Sequence, residues 1–485
     1  EAHAMKTTIT VCLALLIAGC AVVGPEVKPP SMETPATWKG QQTNTLIQSI
    51  PRDWWTIFGD ETLNDLQRRA IGANQNLLEA IARVDENRAN LRLAKADRYP
   101  SLNLNSSVER SRYSAHGSQG NIAAGDLAQL EEDYFRASLD AGYELDLWGR
   151  VKRSIQSAQA RADAIEAARD TIMLNLTADL ADNYFRLRSL DSEIEILQRA
   201  LLLRKNALAV NQTRLDHGLA LPADVSRAEN EHANVQSDLS NARRRRGLYE
   251  NALALLCGET ASSFAIEPRS DSLAPPPKIP AGLPSQLLLR RPDIVEAERT
   301  AAGRCAEIGV AKAAFLPTIK LTGAAGLESI ELRDLFTWDG RLWSIGPSVS
   351  LPIFSGGRNR ANLKAAEARY KQAVAAYRQG VLAAFRDVEN ALVNIREYSV
   401  QESALLRAKG AAKRTSDYFR QRLHGGMIGY LDVVDAERTL LQAERSVVQN
   451  LASRNIATVQ LIKALGGGWE GLAPQDQSPD NQVFD

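Results

Sequence analysis

No proline interrupts residues 149–215, and across that span the apolar residues recur on an alternating three-and-four step. Val151, Ile155, Ala158, Ala162, Ile165, Ile172, Leu176, Leu187, Leu190, Ile194, Leu197, Leu201, Leu208 and Leu215 carry the pattern, with gaps. At 1.5 Å per residue this is a helix roughly 100 Å long. A seven-residue apolar repeat sustained that far implies a coiled coil. One stripe on one rod cannot bury itself, so the chain needs partner helices.

The rod ends in a turn that the chain makes twice. Arg214–Glu229 and Arg422–Glu437 share Arg-Leu, Asp-Val and Ala-Glu at a constant offset of 208 residues. Gly218 in the first copy, and Gly425 and Gly426 in the second, suit the left-handed backbone that ends a helix. Pro222 suits the first turn of the return helix, where its missing N–H costs little. Ala311–Leu321 likewise matches Ala94–Leu104, and Phe354–Arg358 echoes Leu147–Arg150. Each half therefore reads as helix, two strands, very long helix, turn, long helix.

The strands are the period-two stretches between helices. Phe135, Ala137, Leu139, Ala141, Tyr143 and Leu145 alternate with Arg136, Ser138, Asp140 and Glu144. Such an amphipathic strand of about a dozen residues is long enough to cross a bilayer at a tilt, or to form a soluble sheet with one wet face. The first repeat, 61–267, opens with a helix from Leu63 to about Asp97, then strands at about 100–112 and 134–147 and helices at about 149–216 and 222–257. A Pro-rich linker, 268–287, joins it to the second repeat, 288–467. There the strands fall at about 316–328 and 342–353 and the helices at about 357–423 and 430–465, ahead of a tail at 468–485. Four strands cannot close a barrel, since small barrels need about eight. Open edges are not tolerated in lipid. The chain must oligomerise, or its sheet lies outside a membrane; three copies would supply twelve strands and twelve long helical segments.

The N-terminus reads as a secretory signal. Four residues precede Met5; a lysine and an apolar run follow, and Leu16-Ile17-Ala18-Gly19-Cys20 closes the segment at 5–19. The small residues before Cys20 resemble a bacterial lipobox, which makes Cys20 the lipidated first residue of the mature protein. The alternative is a plain signal peptide. Multiple acyl chains make a stable anchor. Residues 20–60 hold Pro25, Pro29, Pro30 and Pro35 and read as an extended tether.

Lys+Arg and Asp+Glu both number 58 among 485 residues, so the net charge is zero and nucleic acid is an improbable partner. His3, His116, His217, His232 and His424 form no metal-binding spacing, and no phosphate loop or nucleophile elbow appears. The chain reads as a non-enzyme with no cofactor and no metal. Cys257 and Cys305 are expected to be unpaired helix residues, although sequence does not assign a disulfide.

Together the lipobox, the duplicated order, Tyr143–Arg150, Arg290–Ile294, Leu351–Arg358 and Gly429–Ala436 resemble the outer-membrane factor (TolC-like) family, in its lipoprotein branch of multidrug efflux proteins. The resemblance covers nearly all of the mature chain. It implies an α+β membrane protein: a homotrimer with a twelve-stranded outer-membrane β-barrel continued by a periplasmic α-helical coiled-coil barrel. It also implies a passive, gated conduit for drugs and toxic compounds, anchored in outer-membrane lipid. The implied partners are a periplasmic adaptor and an inner-membrane efflux pump. Protein or metal export on the same fold, or a structural envelope lipoprotein without a pore, are the alternatives.

The resemblance also implies site residues. Asp432 and Asp435 match the paired carboxylates that ring the periplasmic constriction, Leu431 matches an apolar plug residue, and Arg438 is placed to pair with Asp435 or a neighbouring helix. The alternative is an ordinary solvated helix N-terminus, where aspartate is favoured by capping and the dipole. Met427 and Ile428 stand where some members carry a basic residue. Arg227 and Asn230 are the first-repeat counterparts of Asp435 and Arg438, so the two turns are not equivalent. The helix-turn tips, Gly218, Gly425 and Gly426, are the implied adaptor contact.

Overall fold

The computed structural model describes residues 22–35, 37–39, 51–112, 114, 131–269, 273–279, 290–425 and 427–467. The signal segment, Cys20, Gly426, most of the linker and the tail lie outside the described residues. After a single turn of 3₁₀ helix at Trp54–Phe58 come α1 (Glu61–Ala73), α2 (Gln75–Ala96), β1 (Ser101–Arg112), β2 (Glu131–Leu145), α3 (Arg150–Asp216) and α4 (Pro222–Leu256). The order then recurs as α5 (Pro292–Ala313), β3 (Thr318–Ser329), β4 (Arg341–Ser350), α6 (Arg358–His424) and α7 (Tyr430–Ala464).

The duplication is metrical. Helices α3 and α6 have 67 residues each and α4 and α7 have 35 each, every boundary shifted by 208. Helices α2 and α5 (22 residues) and strands β1 and β3 (12 residues) are shifted by 217. The first strand hairpin is therefore nine residues longer than the second, the difference between the two offsets.

The chain divides into two compact units. One comprises Glu1–Pro30, Asp85–Ala164 and Glu298–Ala376 and holds the sheet. Its four strands run β1-β2-β3-β4, each antiparallel to the next. The junction from β2 into α3 explains the run Tyr143–Arg150. Asp146 accepts from the backbone N–H of Val151 and Lys152 at 3.0 and 2.8 Å, satisfying two orphan donors of α3. Arg150 forks onto Glu144 at 2.7 and 2.8 Å, and the Trp148 indole donates to the Pro317 carbonyl at 2.7 Å.

The other unit comprises Ser31–Val84, Ile165–Ala297 and Tyr377–Asp485 and holds the main core. Trp54, Leu63, Leu66, Leu180, Tyr184, Leu187, Leu253 and Ile462 form one buried cluster there. A second gathers Trp38, Ile294, Val381, Val388 and Leu461. Arg291 locks α5 to the end of α7, pairing with Asp293 at 2.6 Å and donating to the Ala464 carbonyl at 3.1 Å.

Two expectations need correction. The helix from Leu63 to Asp97 is two helices, broken at Asn74, whose ψ of 121° is extended. The Asn74 side chain accepts from Leu77 N–H at 3.1 Å and donates to the Leu256 carbonyl at 2.9 Å. Capping by asparagine offsets the lost helical bond, a choice that apolar spacing does not register. Gly425 is also not left-handed, whereas Gly218 is, at φ 71°. At the 208 offset the partner of Gly218 is Gly426, outside the described residues.

Cys257 and Cys305 are both buried and free. Cys257 points at the Leu66 carbonyl and Cys305 at that of Glu26. Burial pushes the Cys257 thiol up to about 11.

Gly258 ends α4 in the left-handed region, at φ 70°, and a Cβ there would lie 2.3 Å from the Ala73 carbonyl oxygen. Its repeat partner Gly466 meets the Arg290 carbonyl oxygen in the same way, at 2.7 Å. Gly218 has open space around it. Gly258→Ala is expected to cost about 2–4 kcal/mol, strain plus overlap, and Gly218→Ala only about 1 kcal/mol. Denaturant midpoints of the two variants check the difference; equal losses would contradict it.

Candidate functional site

The sheet has two chemically distinct faces. Register places Leu104, Leu139, Ala325 and Trp343 in one row, and Leu102, Ala141, Gly323 and Ile345 in the next. Leu145, Ile319 and Val349 extend the same face. The opposite face carries Asn105, Asp140, Ser138, Arg136, Lys320, Thr322 and Ser344. The apolar face is not buried: Leu104 is 73% exposed and Trp343 77%. A continuous apolar surface of this kind marks a lipid or partner interface. Strands β1 and β4 each pair on one side only, so both edges present unpaired backbone. Among the described residues no helix is long and apolar enough to cross a membrane.

The second site is the turn between α6 and α7. Leu431, Asp432 and Asp435 are all exposed on the first turns of α7. Asp224, the first-repeat counterpart of Asp432, accepts from Leu221 N–H at 3.3 Å and so closes its own helix N-terminus. Among the described residues Asp432 makes no such bond to its own N-cap residue, Gly429. The ordinary capping role therefore explains Asp224 and not Asp432.

Arg438 does pair with Asp435, at 3.8 Å, but its shorter contact is to Glu231 on α4, at 2.9 Å from Nε. That hydrogen bond to Glu231 raises the Arg438 pKa against the opposing effect of burial. Two more ion-pair groups flank it. Glu437 holds both Arg204 of α3 and Arg420 of α6, the latter at 2.7 Å. Arg445 joins Glu193 of α3 at 2.7 Å and Asp238 of α4 at 3.0 Å. Helix α7 is thus tied by charge to the other three long helices. Beside this cluster the Tyr430 hydroxyl is buried with no hydrogen-bond partner among the described residues. Burial raises its pKa, with Arg204 opposing and Glu437 adding.

Apolar spacing finds none of Glu193, Arg204, Glu231, Glu437 or Arg445. One signal was present. Leu190, Leu197, Arg204 and Asn211 step by seven, and all four are buried. The α3 seam therefore changes from apolar to polar as it nears the turn. In Arg204 and Glu437 the buried pair is nearly dry, with side chains 4% and 15% exposed. Removing one partner of such a pair strands a buried charge. Glu437→Ala is expected to lower stability by about 3–5 kcal/mol, with Arg204→Met plus Glu437→Met recovering most of it. Thermal melting of the three proteins tests this; a harmless Glu437→Ala would contradict it.

Two copies of the family model described as outer membrane efflux protein match the chain, at residues 66–259 and 283–467. The cation efflux system protein CusC of Escherichia coli O6:H1 is 33% identical over 464 residues, covering 95% of this chain and 98% of that protein. Outer membrane protein OprJ of Pseudomonas aeruginosa is 33% identical over 465 residues, covering 94% and 95%. Among solved structures, the outer-membrane channel OprN superposes with a TM-score of 0.86 at 28% identity, covering 93% of this chain and 100% of that one.

Proposed function

We propose that this chain, which belongs to the outer membrane efflux protein family and is an efflux channel of the bacterial outer membrane, works as a homotrimer. The observation that carries the proposal is the four-stranded sheet with one exposed apolar face and two unpaired edges. In hydrocarbon each unpaired backbone group costs several kcal/mol. Pairing β4 of one copy with β1 of the next removes every edge, and three copies reach the twelve strands that close a barrel. The apolar face then meets lipid and the polar face lines the pore. Residues 61–267 and 288–467 supply equivalent halves of each wall segment, joined by 268–287, and the long helices extend into the periplasm.

The turn at Arg422–Glu437 is the periplasmic gate in this reading. Three copies of Asp432 and Asp435 around the axis would gather carboxylates that no capping bond consumes, with Leu431 beside them as an apolar constriction. Arg438 holds α7 closed against α4 through Glu231. Opening means exchanging these charged contacts, each modest where exposed, and leaves the apolar seam around Leu190 and Leu197 intact. The helix-turn tips at Gly218, Gly425 and Gly426 are the surface for a periplasmic adaptor, behind which an inner-membrane pump supplies the cargo. Small toxic molecules are the cargo we propose; the polar sheet face does not favour one class, and cations are the cargo in the name of CusC.

Asp432→Ala with Asp435→Ala is expected to raise the single-channel conductance of the reconstituted protein by several-fold, since the doubled change removes the charged constriction. Unchanged conductance would overturn the gate. Cys20 is the proposed lipid attachment point. Cys20→Ser is expected to yield a mature protein without acyl chains, read by intact-protein mass spectrometry; acyl mass retained on the variant would exclude Cys20 as the site.

A further inference from the structure

The apolar face of the sheet ends differently at its two ends. Six successive rows, from Leu145–Ile319–Val349 to Val108–Phe135–Ser329, make the band; it is apolar throughout on β2, and Ser106, Ser329 and Arg341 enter its last two rows on the other strands. That is about 33 Å along the strands, or about 25 Å of height at a barrel tilt, the thickness of an outer-membrane hydrocarbon belt. At the end where β2 runs into α3 the band finishes in aliphatic and aromatic residues. At the hairpin end the next two rows on the same outward face are Arg110 with Asp133 and Arg112 with Glu131. Arg341, stacked on the exposed ring of Trp338, stands on that face at the other edge of the sheet.

These charges cannot face the pore, because strand alternation puts them on the side of Leu104 and Val108. They are also too exposed to be structural staples. Arg110 and Arg112 are each 71% exposed, with contacts of 3.2 Å and 3.0 Å to Glu131. Surface ion pairs of this kind contribute little to stability. Among the described residues each guanidinium keeps several of its five N–H donors free, in the planar fork that suits a phosphate. The neighbouring carboxylates, Glu131 and Asp133, are oxygen ligands of the kind that divalent cations bridge to phosphate.

We infer that the outward hairpin rim, through Arg110 and Arg112, binds the phosphate-bearing headgroups of the outer leaflet. The strands connect to the periplasmic helices at the other end, so the hairpin rim belongs to the cell exterior. A lipid headgroup is favoured over a soluble anion because the rim follows directly on the apolar pair Val108 and Phe135 of the same face. A single amphiphile can place its chains on Leu104 and Val108 and its phosphate on the arginines. The inference rests on the proposed barrel, in which this face meets lipid, while the headgroup contact itself lies within one chain.

The test is native mass spectrometry of the full-length protein in detergent, incubated with diphosphorylated lipid A or with its dephosphorylated form. Charge-assisted contacts to phosphate predict that the wild type retains the phosphorylated form at least about tenfold better than Arg110→Gln plus Arg112→Gln does. Arg136→Gln, on the pore face, is expected to retain it like the wild type. Equal retention of both lipid forms by the wild type would overturn the inference. So would undiminished retention by the double variant, or a matching loss in Arg136→Gln. Circular dichroism confirms that each variant keeps its sheet. The native mass spectra also read the number of chains, so a failure of threefold assembly is seen separately from a failure to bind phosphate.

Discussion

A polypeptide edge that lacks hydrogen-bond partners cannot rest in hydrocarbon, and this chain has two such edges. Strands β1 and β4 flank a sheet whose outward face is apolar and exposed. Dissolving that face in water is costly by area, and placing the lone sheet in lipid is costly by unpaired backbone. Only closure with further copies relieves both. The same logic governs the helices. Four long helices per chain are tied to one another by Arg204, Glu231, Glu437 and Arg445, and any remaining apolar stripe must find a neighbour.

Along the helices the kind of adhesion changes. Around Leu187, Leu190, Leu197, Val235 and Leu239 the packing is apolar and close. Towards the turn the same seam carries Arg204 and Asn211, and the adhesion becomes ionic. Arg204 with Glu437 is nearly dry and costly to break, whereas Arg438 and Asp435, both more than half exposed, exchange one partner for another or for water at small cost. A bundle built this way is firm in its core and exchangeable at its tip. The duplication sharpens the point. Asp224 spends its carboxylate on its own helix cap, and its counterpart Asp432 does not.

The architecture was legible because its signals are long. Identical helix lengths at a fixed offset, and strands of strict alternation, leave little room for another reading. The break at Asn74 was missed because its cap is a side-chain hydrogen bond inside an otherwise unbroken 3–4 pattern. Gly425 does not take the left-handed backbone expected of it, because glycine permits positive φ without requiring it. At the turn, Arg438 pairs with Asp435 as its spacing suggested. Its closer partner, Glu231, lies 207 residues away, and no local pattern points to it. Ion pairs between helices follow from register in three dimensions, which apolar periodicity fixes only after the helices are placed.

A closed pore wall depends most on the number of copies that complete the sheet. Light scattering of the detergent-solubilised protein measures that number directly, once bound detergent is subtracted. A single species of three chains is expected. A monodisperse single chain, stable in water once its lipid and detergent are removed, would contradict it.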